Sequence, residues 1–419
     1  MKNKVVITGL GALSSLGIDV DSMMYRLREG YSGLVPSSIG GYSTALGYLH
    51  PAFLTPEDSG DLSKDKGTLM ALEVAKQAVS QATQQGNIPF FFGHEKSESE
   101  SQSFRIGVFW GVGLAGAHWL DRNYAEFCRD REDSRPSAWT IPAIMPNAPA
   151  AAIAIEYKSR GACMSLANAC ASSAMAIGEA LLALERGDID IAIAGGSDAS
   201  LLPAILHAWA RTRILARNSP DSADHASRPF DVNRNGICLA EGAACLVLER
   251  EAHAWQRGAK ALARLAGYGH CCDAVDLTEP AALGQAYAIQ KSLQHASVPA
   301  NAVSYVNAHA TGTRKGDAAE MMALHQVLGA AFSNTPISSV KSALGHTVGA
   351  AGALEAVVSV RSLMERWIPP TTFLRNIDPH FSDAYLVKGQ GIEAPNIDYV
   401  LSNSFGFGGC NASLVFGQP

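Results

Sequence analysis

Twice along this chain a strand-like segment runs into a helix built almost wholly of small residues. The first is residues 165–168 followed by Ala169-Cys170-Ala171-Ser172-Ser173, with the apolar pattern continuing at Ala174, Ile177, Ala180, Leu181 and Leu184. The second is residues 337–340 followed by Gly345-His346-Thr347-Val348-Gly349-Ala350-Ala351-Gly352-Ala353-Leu354. Helices of Gly and Ala leave little room between backbones and belong inside a protein. Two of them, set among alternating strand-like and helical runs, predict an α/β chain. The architecture expected is a five-layer α-β-α-β-α sandwich of two similar halves meeting near residues 250–260. Strand-like runs at 5–8, 106–110 and 189–194, and a helix near 20–28, fit that alternation.

Composition narrows the function. The 419 residues are 47% apolar and 17% charged, which excludes a disordered chain. A formal net charge of −6 argues against nucleic-acid binding, so an acidic partner must dock on a local basic patch. None of the eight cysteines has C-x-x-C spacing, which argues against a zinc site or a thioredoxin-like motif. No run reaches membrane-spanning length, and the first apolar stretch reads as a strand, not a leader. The compartment expected is the cytoplasm. The polar stretch 94–103 reads as a surface loop, and 211–236 as a long loop over the core.

Cys170 carries the chemistry. At the first turn of a helix it faces unpaired backbone N–H groups and the positive dipole end, both of which favour thiolate, the nucleophilic form. Alone, it reads better as a buried structural cysteine. Two histidines tip the balance. His309 ends a strand-like run and is followed by Thr311 and Thr313, whose hydroxyls suit an amide-rich ligand arm. His346 opens the second small-residue helix, with Lys341 five residues before it. A buried Lys needs a carboxylate, and Glu320 is the expected partner. The loop Ser404-Phe405-Gly406-Phe407-Gly408-Gly409-Cys410-Asn411 can offer a backbone N–H to an oxyanion.

Taken in order and spacing, these stretches resemble the elongating β-ketoacyl-acyl carrier protein synthases, condensing enzymes on the thiolase fold. Also shared are residues 107–116, Ala194-Gly195-Gly196-Ser197, Arg228-Pro229-Phe230-Asp231 and Glu241-Gly242. The resemblance implies a thiolase-like half at residues 1–255 with the nucleophile and a second at 256–419 with both histidines. It implies a Cys-His-His mechanism without metal or organic cofactor. Cys170 would take the acyl chain, and the Cys170 and Phe407 amides would form the oxyanion hole. His309 and His346 would donate to the enolate left by decarboxylation of a malonyl group. Lys341, with Glu320, would order the histidines. Thr311, Thr313, Phe405 and Phe407 would contact substrate, Phe407 as a gate, and Leu114 would line the acyl pocket.

The partners implied are acyl carrier protein, docking on Lys64, Lys66, Arg211, Arg213 and Arg217, and a second subunit, identical or homologous. The subunit contact is expected through residues 141–155 and 163–166. Four positions depart from the family's pattern: Asn168 and Cys410 stand where Thr is usual, and Ala240 and Ala310 where Gly is usual. A silent chain-length-factor-like subunit and a coenzyme A thiolase are the competing readings. The intact Cys170, His309, Lys341 and His346 weigh against the first, and the paired histidines against the second.

Overall fold

A computed structural model describes residues 3–49, 53, 64–84, 98–129, 137–217 and 226–419. Ten strands form the central layers: β1 Val5–Ser14, β2 Ile106–Val112, β3 Cys163–Leu166, β4 Ile191–Asp198, β5 Gly242–Arg250, β6 Ala263–Cys272, β7 Tyr305–Asn307, β8 Ile337–Ser338, β9 Tyr399–Gly406 and β10 Cys410–Gly417. Their order in space is β8-β7-β9-β10-β6-β1-β5-β4-β2-β3. One pattern occurs twice. β3, β2 and β4 run parallel, and β5 and then β1 add antiparallel. β8, β7 and β9 run parallel, and β10 and then β6 add antiparallel. Among the described residues the two five-stranded sets pair only where Val5, Val6 and Ile7 of β1 meet Leu265, Arg264 and Ala263 of β6. The faint sequence echo is thus a duplication of topology.

The longest helices on these sheets are α1 Lys66–Gln84, α2 Ser172–Arg186, α3 Ala282–Ala296, α4 Arg314–Leu328 and α5 Ala351–Glu365. α2 and α5 form the middle layer, with α1 outside the first sheet and α3 and α4 outside the second. Both faces of β1 are covered, so all ten of its residues are buried and, Thr8 and Ser14 apart, none carries a polar side chain. The outer helices dock by the same device in each half. A Cβ on Gly9 or Gly11 of β1 would lie 2.0 Å from a carbonyl oxygen of α1. A Cβ on Gly267 or Gly269 of β6 would lie 2.3 or 2.2 Å from one of α3. In the middle layer a Cβ on Gly352 would lie 2.8 Å from that of Ala174, so the two small-residue helices meet nearly backbone to backbone.

Most expected elements are present, generally longer or displaced by a residue or two. The expected surface loop at 94–103 is helical over Glu98–Ser103, and 94–97 lie outside the described residues. The expected loop 211–236 begins inside a helix, Pro203–Thr212, and its residues 218–225 also lie outside the described set. Among the described residues no helix is long and apolar enough to cross a membrane.

Candidate active site

The small-residue helices aim their starts at one point. Cys170 sits on a single tight turn, Ala169–Ala171, that leads into α2. His346 precedes the matching turn, Val348–Ala350, that leads into α5. Ala169 and Val348 both adopt left-handed backbone, at φ +49° and +43°, a conformation that costs a non-glycine residue of order 1–3 kcal/mol. The strain recurs at equivalent places and delivers the side chains of Cys170 and His346 to each other. His346 Nε2 lies 3.0 Å from Cys170 Sγ. The His309 ring stands edge-on to His346, with centroids 5.4 Å apart, and packs on Phe405 at 5.9 Å.

All three groups are buried, and burial sets their protonation. Desolvation and the nearby Lys341 charge hold both histidines well below the usual imidazole value, with each other's presence adding to the effect on His309. They are neutral rings. Neither Nδ1 has a hydrogen-bond partner among the described residues. A buried lone pair is easier to leave unpaired than a buried N–H, so the proton belongs on Nε2. For Cys170, burial pushes the thiol up to about 12, against the opposing pull of Lys341 and of the Phe407 N–H aimed at the sulfur. Burial therefore outweighs the helix-start effects, and the resting form is the thiol, contrary to the thiolate expected from sequence.

The cavity above these groups has a volume of about 580 Å³ and reaches the surface. Cys170, His309 and His346 lie along its floor, and Thr311, Thr313, Phe405 and Phe407 along its walls. Thr311 and Thr313 share a 3.2 Å hydrogen bond between hydroxyls, and Thr313 also caps α4 by accepting from Gly316 N–H. Phe407 is 37% exposed and stacks on Trp209 at 5.8 Å, a gate-like position with a partner that sequence gave no reason to name. The glycine loop presses on the nucleophile turn. A Cβ on Gly406 would lie 2.9 Å from Asn168 O and 3.0 Å from Cys170 N.

Several expected placements are corrected. Lys341 pairs with Glu355 on α5, not with Glu320, and both members of the pair are buried. Glu320 accepts from His309 N at 2.9 Å, Ala310 N at 2.7 Å and Asn403 Nδ2 at 3.0 Å. It fixes the backbone that carries His309 and reaches Lys341 only through space. Leu114 is 48% exposed and does not line the cavity. Lys66 is withdrawn from the surface, with both Glu241 oxygens 2.8 Å from its Nζ. Lys64 is half-buried and away from the cavity lining. Arg211, Arg213 and Arg217 are exposed, Arg213 at the cavity itself, where Arg314 and Lys315 join it.

The sulfur and one nitrogen of each histidine lie within 4.8 Å of one another, a donor set that zinc accepts. The neighbouring Lys341 charge, which already disfavours a proton on either ring, disfavours a dication in the same place.

A buried thiol, two imidazole rings and a backbone amide around one cavity are the groups that an acyl-transferring condensing enzyme requires. Family models of the β-ketoacyl synthase N-terminal domain and C-terminal domain match residues 2–254 and 262–375. The 3-oxoacyl-[acyl-carrier-protein] synthase 2 of Coxiella burnetii is 33% identical, covering 100% of this chain and 99% of that one. Nodulation protein E of Rhizobium meliloti is 35% identical, with 100% of each chain covered. A solved type II polyketide ketosynthase, in complex with its acyl-carrier protein and bound to the hexaketide, superposes with a TM-score of 0.89 at 26% identity, with 100% of each chain covered. The chain belongs to the β-ketoacyl synthase family and is a condensing enzyme of the thiolase-like fold.

Proposed function

We propose that the chain condenses an acyl group held on Cys170 with malonyl-acyl carrier protein, releasing CO₂ and forming β-ketoacyl-acyl carrier protein. The observation that carries this reading is the 3.0 Å approach of His346 Nε2 to Cys170 Sγ, with neutral His309 beside it. In the first half-reaction Cys170 Sγ attacks the acyl thioester. Negative charge develops on the carbonyl oxygen beside the Cys170 and Phe407 N–H groups. The carrier thiol leaves with the proton that Cys170 gives up, while His346 Nε2–H donates to the sulfur as charge develops on it. In the second, the malonyl C–C bond to the carboxylate breaks and its electron pair becomes an enolate. The His309 and His346 Nε2–H groups donate to the enolate oxygen. The enolate carbon then attacks the Cys170 thioester, and the sulfur departs as thiolate and regains a proton. The buried Lys341–Glu355 pair holds a positive charge nearby that keeps both rings neutral, so they serve as donors.

The carrier protein is read from the relatives' names and from the exposed basic residues Arg213 and Arg314 at the cavity, with Arg211 and Arg217 exposed on the same segment as Arg213. Two halves at 1–255 and 256–419, a dimer and a role in fatty acid or polyketide assembly complete the reading. Incubation with acyl-carrier protein tests it. Wild type gains one acyl group by intact mass, Cys170→Ala gains none, and Cys170→Ala forms no β-ketoacyl product. Product formation by that variant at the wild-type rate removes Cys170 from its role.

A further inference from the structure

Two cysteines face each other at the edge of the glycine loop. Cys410, the first residue of β10, is paired in register with Cys272, the last of β6. The backbone identifies the kind of pair. Asp273 N–H donates to Gly409 O at 2.9 Å. A bond from one residue beyond on one strand to one residue before on the other frames a non-hydrogen-bonded antiparallel pair. In such pairs the Cα atoms lie about 4.5 Å apart, inside the span of about 4.4–6.8 Å that a disulfide accepts. The two side chains also share a sheet face. The Tyr268 and His270 rings stack at 5.0 Å, and alternation along β6 puts Cys272 on their side. Cys271 points the other way and donates to Gly284 O at 3.0 Å.

Both sulfurs touch the parts that position the nucleophile. Cys272 Sγ donates to Gly408 O at 3.4 Å, within the glycine loop. Cys410 Sγ accepts from Asn168 Nδ2 at 3.8 Å, and Asn168 O accepts from Ala171 N–H in the turn that carries Cys170. Cys272 is exposed, Cys410 is partly buried, and both are free thiols.

We propose that Cys272 and Cys410 form a reversible disulfide that slows condensation, a thiol-modification site responsive to small-molecule disulfides. The exposed Cys272 thiolate attacks a disulfide such as oxidised glutathione, forming a mixed disulfide and releasing one thiol. The Cys410 thiolate then attacks the Cys272 sulfur and releases the second thiol. The two protein thiols are oxidised, losing two protons and two electrons, and the small disulfide is reduced to two thiols. Closure draws the two Cβ atoms from a cross-strand spacing of about 4.5–5.5 Å to about 3.8 Å. The movement falls on the residue that ends the glycine loop, three positions from the Phe407 N–H. Misplacing a catalytic group by about 1 Å costs on the order of 10²-fold in rate.

Reduced wild type and Cys272→Ser are each incubated with oxidised glutathione, then mapped without reduction and assayed for condensation. In wild type the expected result is one linked peptide pair joining 272 to 410, an intact mass lower by two hydrogens, and a rate lower by about tenfold or more. Dithiothreitol reverses all three. Cys272→Ser keeps the reduced-state rate and shows no link. A link through any other cysteine, a glutathione adduct that persists on Cys272, or a 272–410 link that leaves the rate unchanged overturns the proposal. The linkage is read without reference to activity and stands apart from the role of Cys170.

Discussion

At the scale of single residues the site is ruled by burial. Cys170 is 6% exposed and its thiol is pushed up to about 12, with Lys341 the leading influence in the other direction. The thiolate fraction of such a group rises with pH far beyond neutrality. Alkylation of Cys170 by iodoacetamide is therefore expected to speed up about tenfold per pH unit from pH 7 to pH 9, without a plateau. Lys341→Ala removes a charge that favours thiolate and slows alkylation at every pH. A plateau near neutrality would instead mark thiolate as the resting form. Cys170, His309, His346 and Lys341 were legible in the sequence because each sits in a short run of small residues that serves little purpose elsewhere. The partner of Lys341 was not. Glu320 and Glu355 both lie on helices after the motifs, and only tertiary packing decides which carboxylate meets the ammonium. Lys66 misled for a similar reason, since its burial depends on Glu241, 175 positions away.

At the scale of elements, the glycine loop and the nucleophile turn act as one unit. Gly406 has no side chain because Asn168 O and Cys170 N occupy the space a Cβ would need. Gly406→Ala must push the loop off the turn and carry the Phe407 N–H with it. The expected result is a loss on the order of 10²-fold in the rate of Cys170 acylation, read by intact mass, with a melting temperature that changes by only a few degrees. A large fall in melting temperature with acylation intact would make the contact a matter of stability alone. The alternation of strands and helices was plain in the sequence because most of the long strands are largely apolar, buried runs. The ends were less plain. β1 runs on to Ser14, past the expected end at residue 8, and Gly9 and Gly11 beyond that point are where α1 presses against the strand.

At the scale of the whole molecule, the doubled topology leaves β3 with one edge unpaired among the described strands. Ile141 and Ile155 nearby in sequence are 59% and 79% exposed, and Met164 on β3 itself is 45% exposed. Apolar side chains gathered along a free strand edge suit a subunit interface. A sedimentation mass of two chains at micromolar concentration is expected, and full activity at a mass of one chain would contradict it. Sequence indicated this region by its surplus of apolar residues, but exposure is a property of the assembled sheet. Leu114, expected from sequence to line the acyl pocket, is exposed and outside the lining of the cavity above Cys170, because a residue's side of a loop is set by what packs around it.

The proposed chemistry divides the labour: Cys170 carries the acyl group, and the two neutral histidines stabilise the enolate. His309→Ala separates these roles. Its ring makes no bond to the Cys170 sulfur, whereas the His346 ring does. The measurement is intact-mass acylation from acyl-carrier protein, made beside CO₂ release from malonyl-carrier protein on the same variant. Acyl-Cys170 is expected to accumulate while CO₂ release falls on the order of 10²–10³-fold, the usual cost of removing one such donor. Normal CO₂ release with no acylation would contradict that division.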